Sequence, residues 1–258
     1  MKDTKSPIQI APAHDIVRLR DEFSQRARLQ IHDFLATPSA DDIFRCLSEQ
    51  KDWNLVYITA GKHVDSDAGA VARWPLAQRR QLKKAIHAEA RGGFQYWYVN
   101  LPIYDIYHGN QLPGHFVNDI FLFLNSREFL DMMRDITGDK TIEFADAQAT
   151  RFDPGHFLTC HDDEVDGKNR RVAYVLSLSP VWRPDWGGAL QFFGANGNIE
   201  EAFVPAYNTL SLFRVPTDHS VGIVAPFATA SRYSLTGWLR SGKDPQEQAA
   251  QQNGGKPR

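Results

Sequence analysis

The sequence predicts a mainly β protein with an α buttress (α+β), in which a jelly-roll core, a double-stranded β-helix, is flanked by N-terminal helices. Three observations carry this. Helical periodicity and cap-like clusters dominate the first 140 residues, after which the texture changes to short strand-like runs. Turn signals punctuate those runs at Asp153-Pro154-Gly155, Trp186-Gly187-Gly188 and Asn196-Gly197-Asn198. A chain of 258 residues, 42% hydrophobic and 23% charged, suits one large domain. Helices followed by a series of strands are the order of a helix-covered double sheet.

The elements follow in order. Residues 13–30 mix charge and apolar positions as an amphipathic helix does. Ser39-Ala40-Asp41-Asp42 is a cap-like cluster before Ile43, Phe44 and Leu47 at helical spacing. Residues 54–59 read as a strand, and the polar, Gly-containing stretch 61–74 as a loop. Pro75 opens a charged helix to Ala90, and Phe94, Tyr96 and Tyr98 then alternate as a strand. Dense apolar periodicity over 116–136 predicts one buried helix. The strand candidates are 142–152, 157–163, 171–178, 188–193, 199–204, 208–214, 219–224 and 231–240. Residues 1–140 are thus expected as the buttress and 141–240 as the core of one domain. Residues 241–258, without core-forming side chains, are expected as a disordered tail.

A net charge of −2 argues against a nucleic-acid partner. No apolar run is long enough to span a bilayer, and the first seven residues lack the apolar core of a signal peptide. Two cysteines, Cys46 and Cys160, without a CxxC pair, fit a reducing cytoplasm and exclude a disulfide scaffold. Cys160 is expected to pack away from the face of its neighbour His161.

The segment 151–163 carries the chemistry. On a strand alternate side chains share a face, so His161 and Asp163 point the same way, a nitrogen ligand beside a hard oxygen ligand. That is two-thirds of a facial metal triad with open positions on a non-haem iron. His219, opening a strand after a turn, is the candidate third ligand. On the strand 231–240 one face carries Arg232, Ser234, Thr236 and Trp238, and the other Tyr233, Leu235 and Leu239. If the first face is the core, a guanidinium lies inside, and an anionic ligand must meet it. A dicarboxylate chelating the metal at its other end would do so, with Ser234 or Thr236 adding a hydroxyl. The alternatives are plain. HxD arises by chance, His219 can be a loop histidine, and Arg232 can lie outward in a surface ion pair.

In combination, HxD, a distal His and an Arg thirteen residues later resemble the Fe(II)/2-oxoglutarate-dependent oxygenases. More narrowly, Arg151-Phe152-Asp153-Pro154-Gly155 before the HxD strand is similar to the prolyl hydroxylase branch. His161-Asp162-Asp163-Glu164, the loop Asp166–Arg171, and Trp182 through Leu190 resemble members that hydroxylate translation proteins. The resemblance implies that His161, Asp163 and His219 hold Fe(II) and that Arg232 binds the distal carboxylate of 2-oxoglutarate. Ser234 and Ser177 would stand beside that carboxylate. Ser177 occupies the place where many prolyl hydroxylases carry a tyrosine, and Tyr174 falls on the opposite face. The implied co-reactants are 2-oxoglutarate and O2, with ascorbate admitted as an accessory reductant. The implied reaction is hydroxylation of a C–H bond with release of succinate and CO2. Presence of Asp163 argues for hydroxylation over halogenation, which needs that position empty. Relatives in eukaryotes carry a second barrel, so the expectation here is a bacterial-type single domain.

Tyr98, Arg170, Trp182 and Trp186 are the candidate substrate contacts, since aromatic surfaces suit a prolyl ring. The expected substrate is a prolyl residue of a protein or peptide, such as a translation component. Two alternatives are a hydroxylase of a free amino acid or other small molecule, and a non-catalytic cupin-like metal-binding module.

Overall fold

A computed structural model describes residues 8–252; the expectations for residues 1–7 and 253–258 lie outside them. Helix α1 (Ile16–Arg26) starts where the Asp15 side chain accepts from the Arg18 amide and stops at Ala27, in the left-handed region. It therefore ends before residue 30, and β1 (Arg28–Ile31) follows, burying Leu29 and Ile31. In α2 (Thr37–Glu49) the Ser39–Asp42 cluster lies inside the first turns rather than capping them, because Pro38 sets the start of the helix. After β2 (Asn54–Thr59) the expected loop is instead β3 (Lys62–Asp67) and the short α3 (Ala68–Ala72). Pairing with β2 from Asn54↔Asp67 to Thr59↔Lys62 holds β3, an exposed strand with no apolar alternation to betray it.

Helix α4 (Leu76–Glu89) and strand β4 (Tyr96–Leu101) follow expectation, and α5 (Ile103–His108) leads into the buried stretch. That stretch is two helices, α6 (Phe116–Leu124) and α7 (Arg127–Thr137). The break is local chemistry. Asn125 donates to the Phe121 and Ala145 carbonyls and accepts from the Ala145 amide, while Ser126 caps α7 through the Phe129 amide.

The expected strand 142–152 is likewise split into β5 (Ile142–Ala145) and β6 (Gln148–Phe152). Between them the Asp146 side chain accepts from the Trp238 amide. The remaining strands are β7 (Phe157–His161), β8 (Arg170–Ser177), β9 (Leu190–Phe193), β10 (Ile199–Phe203), β11 (Thr209–Arg214), β12 (His219–Val221) and β13 (Arg232–Ser241). The tail is not disordered through residue 252. Asp244 is buried, bonds the Tyr104 hydroxyl and His108 Nε2, and anchors α8 (Pro245–Gln252). A polar anchor 140 residues distant leaves no apolar pattern in the tail itself.

All strand pairs are antiparallel, and the main path runs β1-β11-β8-β13-β6-β4-β7-β12-β9-β10, curled into a nearly closed barrel. Two strands from the first 140 residues enter it: β1 extends β11, and β4 lies between β6 and β7. Strand β8 shows how the layers separate. Val172, Tyr174 and Leu176 join the large core under the helices. Ala173 and Val175 face the barrel interior with Leu190, Phe192 and Phe213. Both faces are covered, which is why β8 reads as a continuous apolar run.

Candidate metal centre and cavity

Strand β7 ends at His161 and β12 begins at His219, and the two residues are register partners with ring centroids 4.1 Å apart. Asp163 arrives by a different route from the one strand alternation implies. Asp162 Oδ1 accepts from the Glu164 amide, and Asp163 sits at φ 66°. Aspartate tolerates that left-handed backbone better than most residues. The turn, not the pleat, aims the carboxylate. Its Oδ1 lies 3.3 Å from His161 Nε2 and its Oδ2 3.4 Å from His219 Nε2. One ligand atom from each residue falls within 4.8 Å of the others, the one such group among the described residues.

Both imidazoles are oriented by backbone. His161 Nδ1 stands 3.0 Å from the Thr159 carbonyl and His219 Nδ1 2.7 Å from the Thr217 carbonyl. A carbonyl only accepts, so each Nδ1 carries a proton, and Nε2 on the Asp163 side is the atom that would face a metal. Burial lowers the His219 pKa against the pull of Asp163, which favours the neutral ligand form. Burial would raise Asp163, but the imidazoles of His161 and His219 and the Trp238 indole outweigh it and hold the carboxyl low. Two neutral nitrogens and a carboxylate are the donor set of a facial triad, and these residues fit an Fe(II) ion.

The triad opens into a cavity of about 880 Å³. Arg232, 2% exposed, lines it with its guanidinium 5.3 Å over the Phe152 ring. Among the described residues its Nε has no hydrogen-bond partner, nor does the buried Ser234 Oγ two residues on. Burial pushes the guanidinium down to about 10, and no carboxylate among the described residues pairs with it. Ala173, Val175, Leu190 and Phe213 make an apolar wall. Ser177 is the register partner of Ser234, both buried; Thr150, also opposite Ser234, lines the cavity itself.

Of the candidate substrate residues, Tyr98 and Arg170 line the cavity. Tyr98 stacks on Phe152 at 4.8 Å. Arg170 donates to the Asp163 carbonyl at 2.9 Å and lies 3.4 Å over the Trp238 ring. Trp182 and Trp186 are elsewhere than at the mouth. They pack edge to face at 5.4 Å in a cluster with Phe152, Val221 and Val224 behind the Arg232 end. Gly188 lets Trp182 approach Arg232 closely. A Cβ there would lie 3.2 Å from Trp182 and 3.3 Å from the Arg232 side chain. Cys160 is exposed rather than packed.

The sequence reading missed Phe94, Trp238, the Asp146–Arg240 pair and the α8 residues Pro245 and Gln246, all of which line the cavity. Alternation from Arg232 through Ser234 and Thr236 does lead to Trp238; the others carry no local signal. Another depression, of about 650 Å³ beside α1, is lined by groups such as Arg26 and Glu201 that already pair with one another.

Residues 147–240 match the sequence profile of the 2OG-Fe(II) oxygenase superfamily. The prolyl 3-hydroxylase OGFOD1 of Xenopus laevis is 34% identical over 125 residues, covering 46% of this chain and 23% of that protein. The chain thus spans under a quarter of the length of this relative. Among solved structures, a Pseudomonas putida prolyl-4-hydroxylase superposes with a TM-score of 0.54 at 21% identity, over 89% of this chain and 100% of the other. An oxidoreductase of the 2OG-Fe(II) oxygenase family from Burkholderia pseudomallei gives 0.58 at 15% identity, over 90% and 94%. The structural likenesses show the shared fold.

Proposed function

We propose, from a 2OG-Fe(II) oxygenase core related to the prolyl hydroxylases, that this chain hydroxylates a prolyl residue of a protein or peptide, with release of succinate and CO2. The family implies Fe(II), 2-oxoglutarate and O2 as the co-reactants. One observation carries the reading. A His-Asp-His triad and a buried, unpaired guanidinium face a single cavity.

In this reading His161, Asp163 and His219 hold Fe(II), which when bound supplies the oxidising power that couples 2-oxoglutarate decarboxylation to C–H hydroxylation. Arg232 receives the far carboxylate. A planar guanidinium in a dry site suits a carboxylate bidentately, and the ligand removes the penalty of an unpaired buried charge. Ser234 Oγ, two residues along the strand from Arg232, is a buried donor without a partner among the described residues, and Ser177 and Thr150 are its register neighbours. The wall of Ala173, Val175, Leu190 and Phe213 keeps water from the reacting face. Arg170 fixes the Asp163 backbone and so the direction of its carboxylate. Tyr98, with Phe152 behind it, offers a flat surface to a prolyl ring.

A relative that matches over 125 residues is named a prolyl 3-hydroxylase, and a solved prolyl hydroxylase of similar fold is in complex with a peptide fragment. Both support a polypeptide substrate, and a translation component is the candidate class. Mass spectrometry of proline-containing peptides and ribosomal and elongation-factor proteins after incubation with Fe(II) and 2-oxoglutarate tests this. The expected result is one added oxygen on proline with stoichiometric succinate, its position read against 3- and 4-hydroxyproline standards. Oxidation confined to free amino acids or small metabolites would overturn the prolyl reading.

A further inference from the structure

We propose that the segment entering this cavity is basic: a prolyl segment flanked by lysine or arginine. The inference rests on the peptide reading above and deepens it. The charged groups of the cavity sort by partner. Asp146 pairs with Arg240 at 3.4 Å, Asp163 belongs to the triad and to Arg170, and Arg232 faces the 2-oxoglutarate end. What remains is Asp65 on β3, Asp105 on α5, and Asp162 and Glu164 beyond β7, against Lys168 alone. All five are solvent-exposed, and none of the four carboxylates forms an ion pair among the described residues. The chain as a whole is nearly balanced, with 29 basic and 31 acidic residues, so this excess is local.

Two further features point to a polypeptide cation. The four carboxylates do not gather into a metal-holding group, since the triad is the one such group among the described residues. A spread of single charges from three elements meets several separated cations better than one ion. Among the described residues the same cavity also holds, besides Arg232 Nε, the buried Arg170 Nε donor and the buried Asn100 Oδ1 acceptor, neither with a hydrogen-bond partner. One donor and one acceptor are what a peptide C=O and N–H require. Phe94, Tyr96 and Tyr98 continue outward as a ladder with centroids 5.6 and 5.7 Å apart, a surface for prolyl rings and for cation–π contact.

The size of the effect follows from exposed pairing. Each such pair shifts an equilibrium by a factor of roughly two to five, so two or three engaged together give roughly fourfold to a hundredfold. Salt must erase it, because the screening length falls from about 10 Å at 0.1 M to about 3 Å at 1 M.

The test is a set of fluorescein-labelled peptides with one central proline, flanked by lysines, serines or glutamates. Binding to the Fe(II)-loaded protein with 2-oxoglutarate is read by anisotropy under argon, and turnover by mass spectrometry in air. The lysine-flanked peptide is expected to show at least tenfold lower Kd and KM than the glutamate-flanked one at low salt. The gap should collapse in 0.5 M NaCl and narrow in the surface variant Asp65→Asn/Glu164→Gln. Equal affinity across the set with proline hydroxylated, or preference for the glutamate flank, overturns the charge inference and leaves the prolyl reading standing. Failure of every peptide to bind or react, with a small molecule hydroxylated instead, overturns both.

Discussion

Replacing Arg232 with methionine should do two opposite things at once. In the ligand-free protein the guanidinium is buried, its Nε is unpartnered and no carboxylate among the described residues pairs with it. Its depression from 12.5 to about 10 corresponds to about 3 kcal/mol against the charged form. The sign follows from proton binding. Between those two values the unfolded chain holds more protons than the folded one, so the penalty is fully present below about pH 10 and fades above it. Methionine removes that penalty and keeps most of the stem packed on Phe152. At about 2 °C or more per kcal/mol, the ligand-free midpoint should rise by several degrees. In the proposed site the same change would remove the partner of the 2-oxoglutarate carboxylate. Truncating one side of a buried charge pair amounts to about 2–5 kcal/mol, roughly 30-fold to several-thousand-fold in the 2-oxoglutarate requirement. Calorimetry without ligand, and again with Fe(II) and 2-oxoglutarate under argon, measures both. A variant that melts lower than the parent when ligand-free, or that needs the same 2-oxoglutarate within twofold, would refute the argument that this cation waits for an anion.

Asp163→Ala should abolish Fe(II)-dependent succinate release and remove the visible charge-transfer band that Fe(II) and 2-oxoglutarate form under argon; unchanged turnover would sink the ligand assignment. Arg170→Ala frees the Asp163 carbonyl and should weaken metal binding or activity by about 10- to 100-fold without unfolding, as read by metal titration. Asp146 is pushed up to about 6 by burial, so its ionised form is disfavoured in the fold. The native state holds the extra proton between the ordinary carboxylate value and 6, so stability from this group falls as pH rises through that window, by up to about 3 kcal/mol. Asp146→Asn should therefore flatten the stability difference between pH 4 and pH 7 in urea titrations, and an unchanged slope counts against it. Asp244→Asn removes the carboxylate that holds Tyr104 and His108, so amides of α8 should exchange faster by hydrogen-exchange mass spectrometry while β13 stays protected.

Much of the barrel was legible because its signals are local. Strand β8 alternates between two apolar surroundings, β13 follows its polar and apolar faces, and the turn residues sit where the chain reverses. The HxD pair, the distal His219 and Arg232 could be named from residue type and spacing, since few other donor sets make chemical sense together. The misreadings share one cause. Strand β3 is held by its neighbour β2, α8 by a carboxylate bonded to Tyr104, and the α6–α7 break by Asn125 reaching Ala145. In each, hydrogen bonds to another segment decided what local propensity left open.

The amino-acid sequence by itself determined the fold class, and residue type and spacing named His161, Asp163 and His219 as candidate ligands and Arg232 as a candidate anion partner. Tertiary structure alone decided that Asp163 meets His161 and His219 from a left-handed turn, that Arg232 is enclosed without a carboxylate partner among the described residues, and that Trp182 and Trp186 stand behind it. It also placed Asp65, Asp105, Asp162 and Glu164, without ion-pair partners among the described residues, around a single mouth. The physical reason is range. Backbone preference and side-chain periodicity act over a few residues, whereas burial and charge pairing depend on which remote segments the folded barrel brings together.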